Sequence, residues 1–376
     1  MKRKEKFAKR DAYIDYINNC QLKTPEEVAR LFREYTAVIW DYKLIGKIYD
    51  FYGDNVVIYR EGGNDMVGVQ DVINDTLAYI AAFPDLSFEF LDIYCDGNEQ
   101  DGYRFGQVVE FKGTNLGHSK YGPPTGKSLV KDGKGTLDIC ECLIKYVNGR
   151  WRMHTEWGAR SEKANAEVLG AEVLSGSIAQ NLDDQLEPKQ TPTDADAPEN
   201  TVLQSDINSD KIKQLESKIE AIEINGKQDV IDFFKAFTSL VWDYKMPGRI
   251  YDFYKDDIVV QTSNWNELNG IEAVVIDTLD FMAAFPDMKV NLDDIIVQEI
   301  PEKGFKVFRR LYFEGSNIGT NKYGKSTGKS LGKDCLCLSM IDFEKVDGEW
   351  LITNEKFINS EEHINEVLNK KQASQC

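Results

Sequence analysis

One long passage of this chain occurs twice. Gly113–Leu129 reads GTNLGHSKYGPPTGKSL, and Gly315–Leu331 reads GSNIGTNKYGKSTGKSL, an offset of 202 residues. The same offset relates WDYKLIGKIYDFY at Trp40–Tyr52 to WDYKMPGRIYDFY at Trp242–Tyr254, and DTLAYIAAFPD at Asp75–Asp85 to DTLDFMAAFPD at Asp277–Asp287. Beyond Leu129 the offset falls to 199, since Gly149-Arg150-Trp151 matches Gly348-Glu349-Trp350. A repeat of this length means two copies of one domain rather than a short-repeat solenoid. Each copy has roughly 130–140 residues, enough to bury a core of its own. Residues kept in both copies serve the fold; residues that differ are candidates for a site in one copy.

The elements follow in the same order in each copy. Thr24-Pro25-Glu26-Glu27 predicts a capping box with proline in the first turn. The helix behind it carries an apolar stripe at Val28, Leu31, Phe32, Tyr35, Val38 and Ile39. A short helix is expected over 46–52, a strand over Val56–Tyr59, and a helix over 68–83 that Pro84 ends. Period-two segments at 86–94, 103–111, 137–147 and 151–157 read as strands. Asn148-Gly149 and Asp347-Gly348 are hairpin turns. This is an α+β layout, with helices on one face of a curved antiparallel sheet. The expected division is an N-terminal helix (1–23), a first unit (24–163), a helical and acidic linker (164–226), a second unit (227–368) and a tail (369–376). Between the copies, helix is expected from Ala159 to about Asn181 and disorder over 183–210.

A formal net charge of −18 argues against nucleic acid or an anionic membrane as partner, because both attract basic surfaces. No apolar run approaches the roughly 20 residues that span a bilayer. The N-terminal segment is basic but has no secretory apolar core. Seven cysteines without framework spacing read as free thiols in a reducing compartment, so a cytoplasmic location is expected. Cys140/Cys142 and Cys335/Cys337 are CxC pairs on strands. No His cluster or second pair completes a ligand set, so strand packing is expected and neither metal nor cofactor. Thr125-Gly126-Lys127-Ser128 lacks the upstream glycines of a phosphate loop.

With these elements placed, the chain resembles the SnoaL-like polyketide cyclase and ester cyclase group of the nuclear transport factor two-like superfamily. The resemblance rests on FPD at Phe83–Asp85 and Phe285–Asp287, the G-T-x-x-G run at Gly113–Gly117, P-T-G at Pro124–Gly126, and the turn before the last strand. It implies two cone-shaped domains, each a bent sheet around helices with an apolar pocket. It also implies cofactor-free acid–base chemistry next to a carbonyl of a small, partly apolar organic ligand. Fused copies are expected to dock as an intramolecular pseudo-dimer. The family's His falls at Asn115 and Asn317, and its terminal acid at Ala159 and Ile358, so the family's His–acid pair is missing from both copies. The alternative is therefore a non-catalytic binding or assembly module.

The candidate catalytic residues are Glu156, His118, Asn115 and His154; the candidate substrate-binding residues are Tyr59, Trp157, Asn317 and Glu355. Glu156 and Glu355 are matched acids, each either a base or a solvent-facing strand residue. Asn115 and Asn317 either hold a substrate oxygen or satisfy backbone groups in a glycine-rich bend. His118 and His154 belong to the first copy alone and either titrate near neutrality or stand idle. Tyr59 and Trp157 are replaced by Gln261 and Lys356, which marks them as pocket candidates.

Overall fold

A computed structural model describes residues 3–119, 122–147, 149–170, 204–319 and 326–369. Unit 1 runs α1 (Arg3–Asn19), α2 (Pro25–Trp40), α3 (Ile48–Phe51), β1 (Tyr52–Arg60), β2 (Met66–Val67), α4 (Val69–Ala82), β3 (Ser87–Asn98), β4 (Gly102–Lys112), β5 (Thr136–Val147), β6 (Arg150–Arg160) and α5 (Glu162–Leu169). Unit 2 repeats the plan: α6 (Gln204–Ala221), α7 (Lys227–Thr238), α8 (Ile250–Phe253), β7 (Tyr254–Thr262), β8 (Glu267–Asn269), α9 (Ile271–Ala284), β9 (Lys289–Ile300), β10 (Gly304–Glu314), β11 (Cys335–Val346), β12 (Glu349–Asn359) and α10 (Glu361–Asn369).

Local chemistry accounts for the boundaries. The Thr24 hydroxyl accepts from Glu27 N–H, and the Glu27 carboxylate accepts from Thr24 N–H, which closes the capping box of α2. Asp347 and Gly348 both have positive φ, +52° and +96°, the geometry a two-residue hairpin turn of the primed kind needs. Gly170 ends α5 in the left-handed region at φ +71°. The helix expected from Ala159 begins later, because Ala159 and Arg160 finish β6, and its described part is α5, which Gly170 caps. Residues 204–210, expected as disordered, form the start of α6; 171–203 lie outside the described residues.

Each unit is an α+β cone built on a six-stranded sheet, ordered β2-β1-β6-β5-β4-β3 in unit 1 and β8-β7-β12-β11-β10-β9 in unit 2. The sheets are mixed, not wholly antiparallel. β1 runs parallel to β6, and β7 to β12. The inner face of the unit 1 sheet closes on α2 and α4, joining Val28, Leu31, Phe32, Val72 and Ile73 to Phe105, Ile144 and Met153. Among the described residues, no helix is long and apolar enough to cross a membrane.

The outer faces of the sheets meet. Tyr94, Val108, Leu137, Ile139 and Ala159 of unit 1 share one buried cluster with Ile296, Phe308, Leu336, Leu338, Met340 and Ile358 of unit 2. Gly106 makes room for this contact: a Cβ there would lie 2.6 Å from the Phe308 ring and 2.6 Å from the Tyr94 ring. Around the cluster, Arg310 pairs with buried Glu141, Arg104 with Asp294, and Lys306 with Asp92.

Candidate active site

One backbone irregularity aims the key acid. Along β5 and β6, Leu143 pairs with Thr155 and Ile144 with Met153, so His154 is the extra residue of a β-bulge. A bulge interrupts the two-residue alternation of side chains. Trp151 and Met153 before it, and Glu156 after it, therefore all join the inner face. Simple alternation sets Glu156 opposite those residues and toward solvent; the bulge corrects this. Thr353 plays the same part in unit 2, where Asp342 pairs with Asn354 and Phe343 with Ile352.

Glu156 borders a cavity of about 80 Å³ whose apolar wall includes Phe32, Tyr35, Ile39, Ile58 and Val109. The Tyr52 hydroxyl donates to Glu156 Oε2 at 2.9 Å. Burial pushes the Glu156 carboxyl above its ordinary range, against the opposing pull of Arg60 and the Tyr52 hydrogen bond. Burial likewise pushes the Tyr52 phenol well up, so it stays a donor. Gln107 lines the same space; its Nε2 lies 2.9 Å from Cys140 Sγ, and its buried Oε1 has no partner. A charged group closes the far end. Arg160 donates to Asp138 at 2.7 Å and to Asp75 at 3.2 Å, with Arg60 beside them.

Unit 2 repeats the acid and cancels it. Tyr254 donates to Glu355 Oε2 at 2.9 Å, but Arg309, at the position of Gln107, donates to Glu355 Oε1 at 2.8 Å. Both charged side chains are 5% exposed. Arg309 also donates to Ser339 Oγ at 3.0 Å. The cavity here is about 60 Å³. Thr262, Cys337 and Asn359 stand where unit 1 has Arg60, Asp138 and Arg160.

The other candidates lie elsewhere. Asn115 is buried with its amide engaged by the backbone: Nδ2 donates to the Ala82 and Gly117 carbonyls at 3.0 Å each, and Oδ1 accepts from Thr125 N–H at 2.8 Å. Asn317 repeats this with the Ala284 carbonyl and Thr327 N–H. Both tie a glycine-rich bend to a helix end. At Gly117 the approach is so close that a Cβ would sit 1.8 Å from the Ala81 carbonyl oxygen. His118 is exposed on the following loop, and His154 is exposed at the bulge, where its Nδ1 lies 2.9 Å from Thr155 Oγ1. Tyr59 and Trp157 stack on each other at 5.3 Å, and Arg310 of unit 2 lies 3.6 Å over the Trp157 ring. That contact belongs to the outer sheet face, so neither residue lines the cavity.

Arg60, Gln107, Asp138 and Arg160 escaped the sequence reading. Their signal was present: each differs between copies, as Thr262, Arg309, Cys337 and Asn359, at strand positions of the inner face. The two CxC pairs are not equivalent, since Cys140 corresponds to Ser339 at the later offset. Both thiols of the first pair are buried 4.0 Å apart, and burial pushes Cys142 well up. Among the described residues, no three His, Cys, Asp or Glu side chains are grouped to hold a metal.

The chain is similar in shape to several solved structures. One is a protein with a cystatin-like fold from Caulobacter vibrioides, 12% identical, covering 37% of this chain and 92% of its own, with a TM-score of 0.29. Another is Aln2 from a Streptomyces species, 14% identical, covering 39% and 99%, with a TM-score of 0.30. A third, described as a SnoaL-like polyketide cyclase from a Jannaschia species, is 10% identical and covers 46% and 100%, with a TM-score of 0.28. No family model and no curated protein matches the chain.

Proposed function

We propose that unit 1 is a cofactor-free acid–base site that acts next to a carbonyl of a small, partly apolar organic molecule, in a reaction of the cyclase, isomerase or lyase type. The observation that carries this reading is the Tyr52–Glu156 pair on the wall of an apolar cavity. A carboxyl held up by burial takes a proton from carbon when ionised and returns it when neutral. Tyr52 positions the carboxyl by donating to one oxygen and leaves the other for the substrate. The negative charge that grows on the substrate oxygen needs a donor in the same dry space, and Arg60 and Arg160 are cations that line it.

The test is α-proton exchange. The protein is incubated in D₂O with a panel of small ketones and 1,3-dicarbonyl compounds, and loss of the α-proton signals is followed by NMR. Exchange above the buffer rate that Glu156→Gln abolishes and Glu355→Gln preserves supports the reading. Exchange no faster than buffer for every compound, or equal loss in both variants, counts against it.

For unit 2 a second reading is favoured, a non-catalytic binding or assembly domain, because Arg309 already occupies Glu355. The free thiols Cys20, Cys95, Cys140, Cys142, Cys335 and Cys337 fit a reducing compartment such as the cytoplasm.

A further inference from the structure

We infer that the ligand of unit 1 carries a carboxylate and that Arg60 holds it. The inference rests on unit 1 being a ligand site, as proposed above, and adds the charge of the molecule it takes.

Arg60 is the last residue of β1 and faces Gly158 of β6 across the parallel ladder. Its guanidinium lies over that glycine, so that a Cβ at residue 158 would fall 2.7 Å from Nη1. Gly158 thereby clears the space in which a flat guanidinium rests on the inner face. In unit 2 the same ladder position is Thr262 against Phe357. Large and small have changed places, and the charge is gone.

The Arg60 side chain is only 12% exposed, yet it is poorly partnered. Its nearest carboxylate oxygen, on Asp75, is 4.0 Å away, beyond hydrogen-bond range. Arg160 takes up both carboxylates of the group, Asp138 at 2.7 Å and Asp75 at 3.2 Å. Among the described residues no hydrogen bond reaches the Arg60 guanidinium. A guanidinium has five donors and does not give up its proton. Asp75, Asp138 and Glu156 hold the Arg60 charge from a distance, while its donors remain open to a ligand acceptor. A neutral carbonyl would engage one donor. A carboxylate fits the planar fork with two parallel hydrogen bonds. Unit 2 offers the contrast: its buried guanidinium, Arg309, already has the carboxylate of Glu355. The cavity of about 80 Å³ suits a short-chain acid.

The test uses the full chain and two probes of nearly equal shape, propionate and propionamide, with affinities measured by calorimetry or saturation-transfer NMR. Propionate is expected to bind at least tenfold tighter. Arg60→Thr, the residue of unit 2, should erase that preference, and Arg60→Lys should keep part of it. If Arg60→Thr does not melt cooperatively, Gly158→Ala displaces the guanidinium instead and should lower the preference. Equal affinity for the two probes, failure of both to bind, or a preference that survives Arg60→Thr overturns the inference. Propionate preference without α-proton exchange on any carbonyl compound retains this inference and removes the proposed reaction. Exchange with equal probe affinities does the reverse.

Discussion

Arg309 and Glu355 form a buried ion pair at 2.8 Å, on a scaffold that gives Gln107 to the same position in unit 1. Removing one member of such a pair leaves an unanswered charge in a dry place. Arg309→Gln should therefore destabilise the chain by about 3–5 kcal/mol at neutral pH, the usual cost of breaking a buried pair. Arg309→Gln/Glu355→Gln should recover most of that loss, because it removes the stranded charge. Urea unfolding of the two variants decides the matter; equal losses would mean that Glu355 is not held as an ion.

Glu156 sets a pH dependence whose sign is fixed. Burial raises its folded-state value above the ordinary carboxylate range. Its neutral form therefore favours the folded state. That contribution is complete below the ordinary carboxylate range and is lost as pH rises through the raised folded value. Glu156→Gln has no such dependence, so its stability relative to the parent should improve as pH rises through that window. Thermal melts of both proteins from below the ordinary carboxylate range to above neutrality check it, and a constant difference argues against an ionising Glu156. Tyr52→Phe removes the hydrogen bond that lowers the Glu156 value and should move the transition to higher pH.

Asn115 is a brace and should behave like one. Its amide satisfies three backbone groups, and stranding them costs on the order of 1–3 kcal/mol each, less whatever water replaces. Asn115→Ala should lower stability by about 2–4 kcal/mol while leaving the exchange rate per folded molecule unchanged. His118→Ala and His154→Ala should alter neither. A loss of exchange in a fully folded Asn115→Ala protein would return this residue to the site.

The contact between units is tight enough to sense one methyl group. Gly106→Ala drives a Cβ toward the Phe308 and Tyr94 rings and should cost about 1–3 kcal/mol through overpacking. Phe308→Leu in the same chain should return part of that loss. A double-mutant cycle on unfolding free energies measures the coupling, and strict additivity would mean that the two residues do not touch.

Much of the scaffold was legible because helical stripes, capping residues and turn pairs act over a few neighbours. Thr24-Pro25-Glu26-Glu27 announces α2, and Asp347-Gly348 announces its hairpin. Features that depend on distant partners were not legible. The two residues of β2 are too few to show a period, and the parallel pairing of β1 with β6 leaves no local mark. At the site, alternation turned Glu156 outward because nothing in the residues around His154 announces an extra member. Tyr59 and Trp157 do differ between copies, but they differ because the two outer faces must complement one another. Difference between copies marks both the cavity and the contact, and only the side of the sheet tells them apart.

The bulge at His154 and Thr353 has a further consequence. Its residue is free to change, histidine in one unit and threonine in the other, while its presence is retained. The inward aim of Glu156, three residues on from Met153, is thus written in the irregular pairing at this point, not in the identity of the residue that makes it. Deleting His154 would leave a regular ladder, with Leu143 still opposite Thr155 and Ile144 opposite Met153, and Glu156 two residues from Met153 on the same inner face. Pairing His154 in register would instead turn the acid to the outer face. For this chain, one unpaired backbone position is as much a part of the site as the carboxyl it delivers.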